Sequence, residues 1–306
     1  MQSLWMLLGT VFFAISGLTI KLASTDASLP MIIVFRGGMG LLVVWAWAVY
    51  IKGTLTTPHP WTHARRSVSG CAAIFLYTYA VTHLPLGTGT MLNYTSSIWL
   101  ACLLCGVALW RGRALPSWAL LACVGLGFVG VVLLLQPALD AGNELAIGLA
   151  YGLGLVSGLL SAIAYMQVKS LGQYQEPEWW IVFYHALVMT ILATLVLFIT
   201  QPFDAIHMPQ GKTLWLLIAN GLLASGGQWC LTRAYTQGGT LMASSLQYLT
   251  VVFATILGAL VVGDVLTPHD YMAMGIIITS GVAASFFTLR SQQTATSKIT
   301  STQSIL

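Results

Sequence analysis

Ten runs of roughly twenty predominantly apolar residues, joined by short polar turns, constrain this 306-residue chain more than any motif does. The runs are 3–23, 30–51, 67–83, 87–109, 115–135, 146–168, 178–200, 213–236, 239–261 and 268–289. A backbone surrounded by hydrocarbon has no water to bond to, so each crossing segment must satisfy its own N–H and C=O groups. None of the runs alternates with the two-residue period of a barrel strand, and each is therefore read as a helix. Composition agrees: 57% of residues are hydrophobic and 7% charged, against roughly 25% charged in soluble domains. The expected fold class is an all-α integral membrane protein of ten transmembrane helices.

The helices are expected to form two inverted five-helix repeats. Shifted by 148 residues, Ile33-Val34-Phe35 falls on Ile181-Val182-Phe183, Ala14-Ile15 on Ala162-Ile163, Lys21 on Lys169 and Ile51 on Ile199. Shifted by 154, Thr78, Ala80, Thr82, Leu92 and Tyr94 fall on Thr232, Ala234, Thr236, Leu246 and Tyr248. An odd number of crossings per unit turns the second copy upside down, which is the common plan of secondary transporters. The first unit is placed at 1–136, the second at 146–290, and a Ser/Thr/Gln-rich tail at 291–306 is read as a disordered cytoplasmic segment. Gln136-Pro137, Asp140 and Glu144 mark the boundary between the halves.

Charge distribution sets orientation. With the N-terminus inside, the inner loops and tail hold Lys52, Arg65, Arg66, Arg111, Arg113, Lys169, Arg290 and Lys298, and the outer side holds Lys21 and Lys212. The positive-inside rule then places both termini in the cytoplasm, in a multi-pass protein of the plasma membrane, here a bacterial inner membrane. The net charge of +4 encodes topology, and nucleic acid is not expected as a partner. Met1-Gln2-Ser3 has no basic leader and the first run is too long for a cleaved signal, so it is kept as span one. All five cysteines lie inside spans; Cys102-x-x-Cys105, on an apolar helix without a nearby histidine, reads as small packing residues. His59 and His63 sit in a Pro-flanked segment, Pro58-His59-Pro60, read as a loop that denies them the helical spacing of a metal pair.

Polar groups inside the spans carry the functional signal, because an amide or charge in hydrocarbon needs a cavity or a partner. Thr90, Asn93 and Ser97 share one face of span four; their mates in span nine are Ser244, Gln247 and Val251. Each amide precedes a tyrosine, Tyr94 and Tyr248. Two amides and two phenols converging near the midplane suit a small polar solute, although interhelical bonding of spans four and nine would use the same groups. Span eight adds Gln228, Trp229, Thr232 and Arg233, and its mate span three offers Phe75, Thr78 and Tyr79. Arg233 either snorkels or faces inward as a counter-charge for a carboxylate or phosphate. Arg36 lies six residues past Pro30, about 9 Å into its span at 1.5 Å per residue, and faces protein as a brace or a substrate contact. His185 is the intramembrane titratable group, open to a proton role or to packing. No span interior holds Asp or Glu, which argues against carboxylate-based proton antiport. Trp179-Trp180 read as an interfacial belt. Small-residue pairs, Gly148 with Gly152 and Gly154 with Gly158, mark close helix contacts, static or sliding.

In this order of features the chain resembles the EamA type of the drug/metabolite transporter superfamily. The resemblance rests on the span count and length, on Lys21 and Lys169, on Arg36, on Gly130 and Gly281 in spans five and ten, and on Gly263-Asp264 before Thr267. Ser97 and Val251 stand where the family often has proline, and Arg111-Gly112-Arg113 lacks the acid of its counterpart turn. The resemblance implies a cavity between the halves and membership among exporters of amino acids and other metabolites or importers of choline or vitamins.

The function expected is secondary transport, by alternating access, of a small polar metabolite such as an amino acid, with export as the favoured direction. The site comprises Asn93, Tyr94, Gln247, Tyr248, Thr78, Tyr79, Gln228, Trp229, Thr232 and Arg233, with charge or proton roles for Arg36 and His185. The alternatives are export of amphipathic drugs or organic cations, import of a vitamin or choline-like solute, and a non-transporting sensor. An intramembrane enzyme is disfavoured: Asp264 has no second intramembrane aspartate and Ser157 no matched histidine. Catalytic residues, metals and cofactors are not expected; the partners are the solute, the lipid bilayer and, left open, a second copy in a homodimer.

Overall fold

The computed structural model describes residues 5–53, 56–110, 145–203, 206–238 and 246–280, with Ala243 and scattered positions at 118–133 and 282–287. Its helices are α1 (Trp5–Ala23), α2 (Leu29–Tyr50), α3 (Pro60–His83), α4 (Leu86–Tyr94), α5 (Ser96–Trp110), α6 (Leu145–Gln173), α7 (Glu178–Thr200), α8 (Gly211–Gln237) and α9 (Tyr248–Leu257). A single wider turn, Gly258–Val262, continues α9, and residues 268–280 are helical. No strand occurs among the described residues. Six stretches are long and apolar enough to cross a membrane: Trp5–Ala23, Leu29–Tyr50, Leu86–Val107, Leu145–Gln173, Glu178–Thr200 and Gly211–Gln237. The expected span five, the boundary residues Gln136, Pro137, Asp140 and Glu144, the Arg111-Gly112-Arg113 turn, Ser244, Gly281 and the tail lie wholly or largely outside the described residues.

Prolines place several helix starts. Pro30 lies in the first turn of α2, Pro60 opens α3, and Pro177 precedes α7. A proline there loses an N–H that would have had no intrahelical partner, and its ring pre-sets the helical φ. For this reason α3 begins at Pro60 and not at residue 67 as the hydropathy suggests. The extra turns carry His63, Arg65 and Arg66, which the sequence assigns to a loop. At the far end of α9, Gly263 takes φ +78°, a left-handed conformation that favours glycine, and stops the helix.

The helices are apolar outside and small or polar inside. On α2, Leu42, Trp45 and Val49 are exposed while Ile33, Arg36, Gly37, Gly40, Val44 and Ala48 are buried. Lipid offers no hydrophobic gain for helix association, so small residues earn their place by letting backbones approach. α1 packs along α8 and α3 along α6; α2 packs along α7, and α4 along α9. α2 also touches α8 and α3 touches α7, while α1 touches α9 and α4 touches α6.

Span four tightens by one turn at Thr95, between α4 and α5, while the bonds Thr95 N to Met91 O and Trp99 N to Thr95 O carry the helix through. Thr95 Oγ1 donates to the Leu92 carbonyl at 2.6 Å, and Ile98 N reaches the Thr95 carbonyl at 2.9 Å in a tighter turn. Gly158 of α6 lies directly against this turn. A Cβ there would stand 2.8 Å from the Leu92 oxygen and 3.1 Å from that of Asn93, so no larger residue fits without moving α4 away. A second turn, at Gln247, precedes α9, with Thr250 N bonded to its carbonyl at 2.9 Å.

Candidate functional site

Asn93 and Tyr94, just before the tight turn at Thr95, line a cavity of about 50 Å³. The cavity is closed over by α1, α2, α3, α6, α7 and α8, which contribute Phe13, Arg36, Arg66, Gly70, Ile74, Tyr77, Ser161, Ala164, Tyr165, His185 and Gln228. A volume of this size holds a few water molecules and is too small for a metabolite.

Its polar lining is organised by short bonds. Asn93 Nδ2 donates to Ser157 Oγ at 3.0 Å and to Ser161 Oγ at 3.1 Å, tying α4 to α6. The Asn93 amide is thus both interhelical tie and cavity wall. Arg36 Nη1 donates to Ser16 Oγ at 2.9 Å, and Ser16 donates to Asn220 Oδ1 at 2.6 Å, linking α2, α1 and α8. Arg66 Nη2 donates to Gln228 Oε1 at 3.3 Å. Gly70 makes room for that guanidinium: an added Cβ would collide with Arg66 Nη1 and stand 3.0 Å from His185 Cε1. Arg36, Arg66 and His185 are 5%, 2% and 2% exposed, so all three are held away from solvent.

The predicted residues divide by position. Arg36, Asn93, Tyr94, His185 and Gln228 line the cavity. Gln247 is fully buried one layer behind it: Tyr165 stacks on Tyr235 with ring centroids 5.0 Å apart, and Tyr235 donates to Gln247 Oε1 at 3.3 Å. Tyr248 sits in an apolar cluster with Leu92, Ile98 and Val251. Thr78 and Thr232 are fully buried away from the cavity lining. Tyr79 stacks on His83 at 4.1 Å, Trp229 meets Trp47 edge-on at 5.6 Å, and Arg233 lies 4.9 Å above the Trp5 ring. The sequence did not assign Phe13, Gly70, Ile74, Tyr77, Ser161, Ala164, Tyr165 or the charged residue Arg66 to the site. For Arg66, Pro60 as a helix opener was the signal that could have placed it inside a span.

Two polar clusters flank the cavity at opposite ends of the bundle. At one end Lys21 Nζ stands 3.5 Å from Asp264 Oδ1 and also donates to the Leu84 carbonyl, while Leu86 N donates to Asp264 Oδ2 at 2.6 Å. At the other, His63 Nε2 stands 3.6 Å from Glu176 Oε2, and Thr57 Oγ1 donates to Glu176 Oε1 at 2.7 Å. His59 stacks on Tyr174 with centroids 4.3 Å apart. The two histidines read as a loop pair are therefore engaged separately, His63 from within α3.

Residues 148–286 match the model of the EamA-like transporter family. This region spans nearly all of α6 through residues 268–280 and supplies Ser161, Tyr165, His185 and Gln228 to the cavity, whereas Arg36, Arg66 and Asn93 precede it. The riboflavin transporter of Rhizobium johnstonii is 27% identical over 95% of this chain and 91% of its own. The pseudopaline exporter CntI of Pseudomonas aeruginosa is 25% identical over 80% of this chain and 82% of its own. An uncharacterised transporter of Helicobacter pylori is 24% identical over 72% and 71%. A solved crystal structure superposes with a TM-score of 0.66 at 19% identity, covering 94% of this chain and 98% of that one, which establishes the likeness of fold. The match over residues 148–286, the relatives named as transporters and six helices long and apolar enough to cross a membrane together describe a multi-pass membrane protein of transporter type, not an enzyme.

Proposed function

We propose that the chain is a secondary transporter of a small polar metabolite, of the amino-acid class or related to it, working by alternating access across the plasma membrane with both termini cytoplasmic. The carrying observation is the central cavity, a polar pocket built jointly by α1–α4 and α6–α8. Polar groups that several helices bring together inside an apolar bundle are how transporters offer a solute a site within a membrane.

Two inverted five-helix repeats, at 1–136 and 146–290, are part of this proposal. They are supported by the packing: exchanging α1 with α6, α2 with α7, α3 with α8 and α4 with α9 turns the α1–α8 contact into α6–α3 and returns α2–α7 and α4–α9 to themselves. Export is favoured by the likeness to the pseudopaline exporter. Organic cations fit poorly, because the cavity presents two guanidinium groups. Orientation rests on the loop charges other than Arg66, which is buried.

An untargeted comparison of metabolites inside and outside cells with and without the protein would reveal the cargo, and accumulation outside is the expected result. In proteoliposomes loaded with that cargo, Asn93→Ala is expected to lower flux at least about tenfold with membrane abundance unchanged, since it removes a lining amide from a largely preformed wall. Wild-type flux in this variant would remove Asn93 from the site.

A further inference from the structure

We propose that the cavity takes a small dianion, a dicarboxylate or a phosphate monoester, and that Arg36 and Arg66 together set this charge requirement. The inference rests on the reading of the cavity as the transport site, and within that reading it puts a dianion in place of the amino-acid class.

The first observation is an imbalance of charge. Both guanidinium groups are nine-tenths or more buried and line one small cavity. Arginine stays protonated in proteins, so neither can shed its charge on burial. Each makes one hydrogen bond, to the neutral acceptors Ser16 Oγ and Gln228 Oε1, and the Nε of each has no partner. A guanidinium carries five N–H donors in a planar fork, and most of these remain unspent.

The second observation is where the carboxylates are. Among the described residues Asp26 accepts from Thr213, Glu176 faces His63 and Thr57, Glu178 accepts from Gln237, Asp264 faces Lys21, and Asp270 accepts from Thr267. All belong to the two ends of the bundle, and none forms an ion pair with Arg36 or Arg66. A brace built from buried arginines would bring its own counter-charge, because an isolated ion in a low-dielectric site is strongly disfavoured. Here the missing counter-charge is supplied by what enters.

The remaining lining matches an oxyanion. His185, without a side-chain hydrogen bond and packed with the Arg66 guanidinium over Gly70, offers a ring N–H. Tyr77, Tyr94 and Tyr165 complete the polar wall. Two planar forks select two anionic groups, or one doubly charged group, over a single carboxylate. The present volume is too small for such a solute, so binding must part the helices around it.

The test uses the purified full-length chain in detergent and in proteoliposomes. Binding is read by thermal shift and calorimetry with succinate, glycerol 3-phosphate, acetate and tetramethylammonium at matched ionic strength. At least one of the two dianions is expected to bind at least about tenfold more tightly than acetate, and tetramethylammonium not at all; the succinate and glycerol 3-phosphate arms separate carboxylate from phosphate. Arg36→Gln and Arg66→Gln should each weaken that binding about tenfold or more, the loss of a charge-assisted bond, whereas Arg65→Gln, on the exposed neighbour, should not. Arg36→Lys and Arg66→Lys should recover part of the loss, and monodispersity with helical circular dichroism controls for folding. Equal binding of acetate, no binding of either dianion, or unchanged affinity in both Gln variants overturns the proposal. A neutral or cationic cargo whose flux depends on Asn93 would refute the dianion while leaving the transport site intact. Dianion binding lost in the Gln variants, with cargo flux indifferent to Asn93→Ala and to both arginines, would instead refute the transport site.

Discussion

Lys21 and the Arg36–Arg66 pair are cations drawn into one bundle, and they are treated in opposite ways. Lys21 has a carboxylate, Asp264, at 3.5 Å, and that carboxylate is in turn held by the Leu86 N–H. Arg36 and Arg66 have only neutral oxygens. A paired charge holds structure together and costs little more than its desolvation; an unpaired one is a standing penalty that persists only where a ligand can offset it. The Lys21 end therefore reads as a clasp between α1 and the end of α9, and the centre as a socket.

Breaking the clasp should have the largest effect. Asp264→Asn leaves the largely buried Lys21 charge without its counter-ion, and should destabilise the protein by roughly 2–3 kcal/mol, discounted from the fully buried case because both side chains keep some solvent contact. Replacing both partners, Lys21→Met with Asp264→Leu, should recover most of this, and denaturation of the single and double variants in one detergent checks the coupling. The socket should respond with the opposite sign. Arg66→Met removes an unpaired buried cation at similar volume and is expected to raise stability by about 1 kcal/mol while abolishing transport. A fall in stability equal to that of Asp264→Asn would show that Arg66 is a brace after all. The smallest effect is expected for Glu176→Gln, which keeps an acceptor for Thr57 and gives up only the contact to His63, at about 1 kcal/mol or less in the same assay.

Much of this was legible in the chain. Arg36, His185, Asn93, Tyr94 and Gln228 stood out as polar residues inside apolar runs, and all five line the cavity. Arg66 did not stand out, because beside Arg65 it looked like half of a basic loop. Opening the helix at Pro60 carries residue 66 about 9 Å inward at 1.5 Å per residue. The roughly 100° step between neighbours then leaves Arg65 exposed and Arg66 buried. The pairing of Asn93-Tyr94 with Gln247-Tyr248 was equally legible as a repeat, yet the two amides occupy different layers, since Tyr165 and Tyr235 stack between the cavity and Gln247.

The sequence by itself determined that this chain lives in a membrane as a bundle of helices, because apolar length and backbone hydrogen bonding are one-dimensional demands that any stretch either meets or fails. Only the tertiary structure decided which polar residues meet. Facing is settled by the neighbour that fills each sector of a helix, and a glycine such as Gly70 or Gly158 acts through the partner it admits. That is why two arginines thirty positions apart, one of them read as a loop charge, line a single pocket.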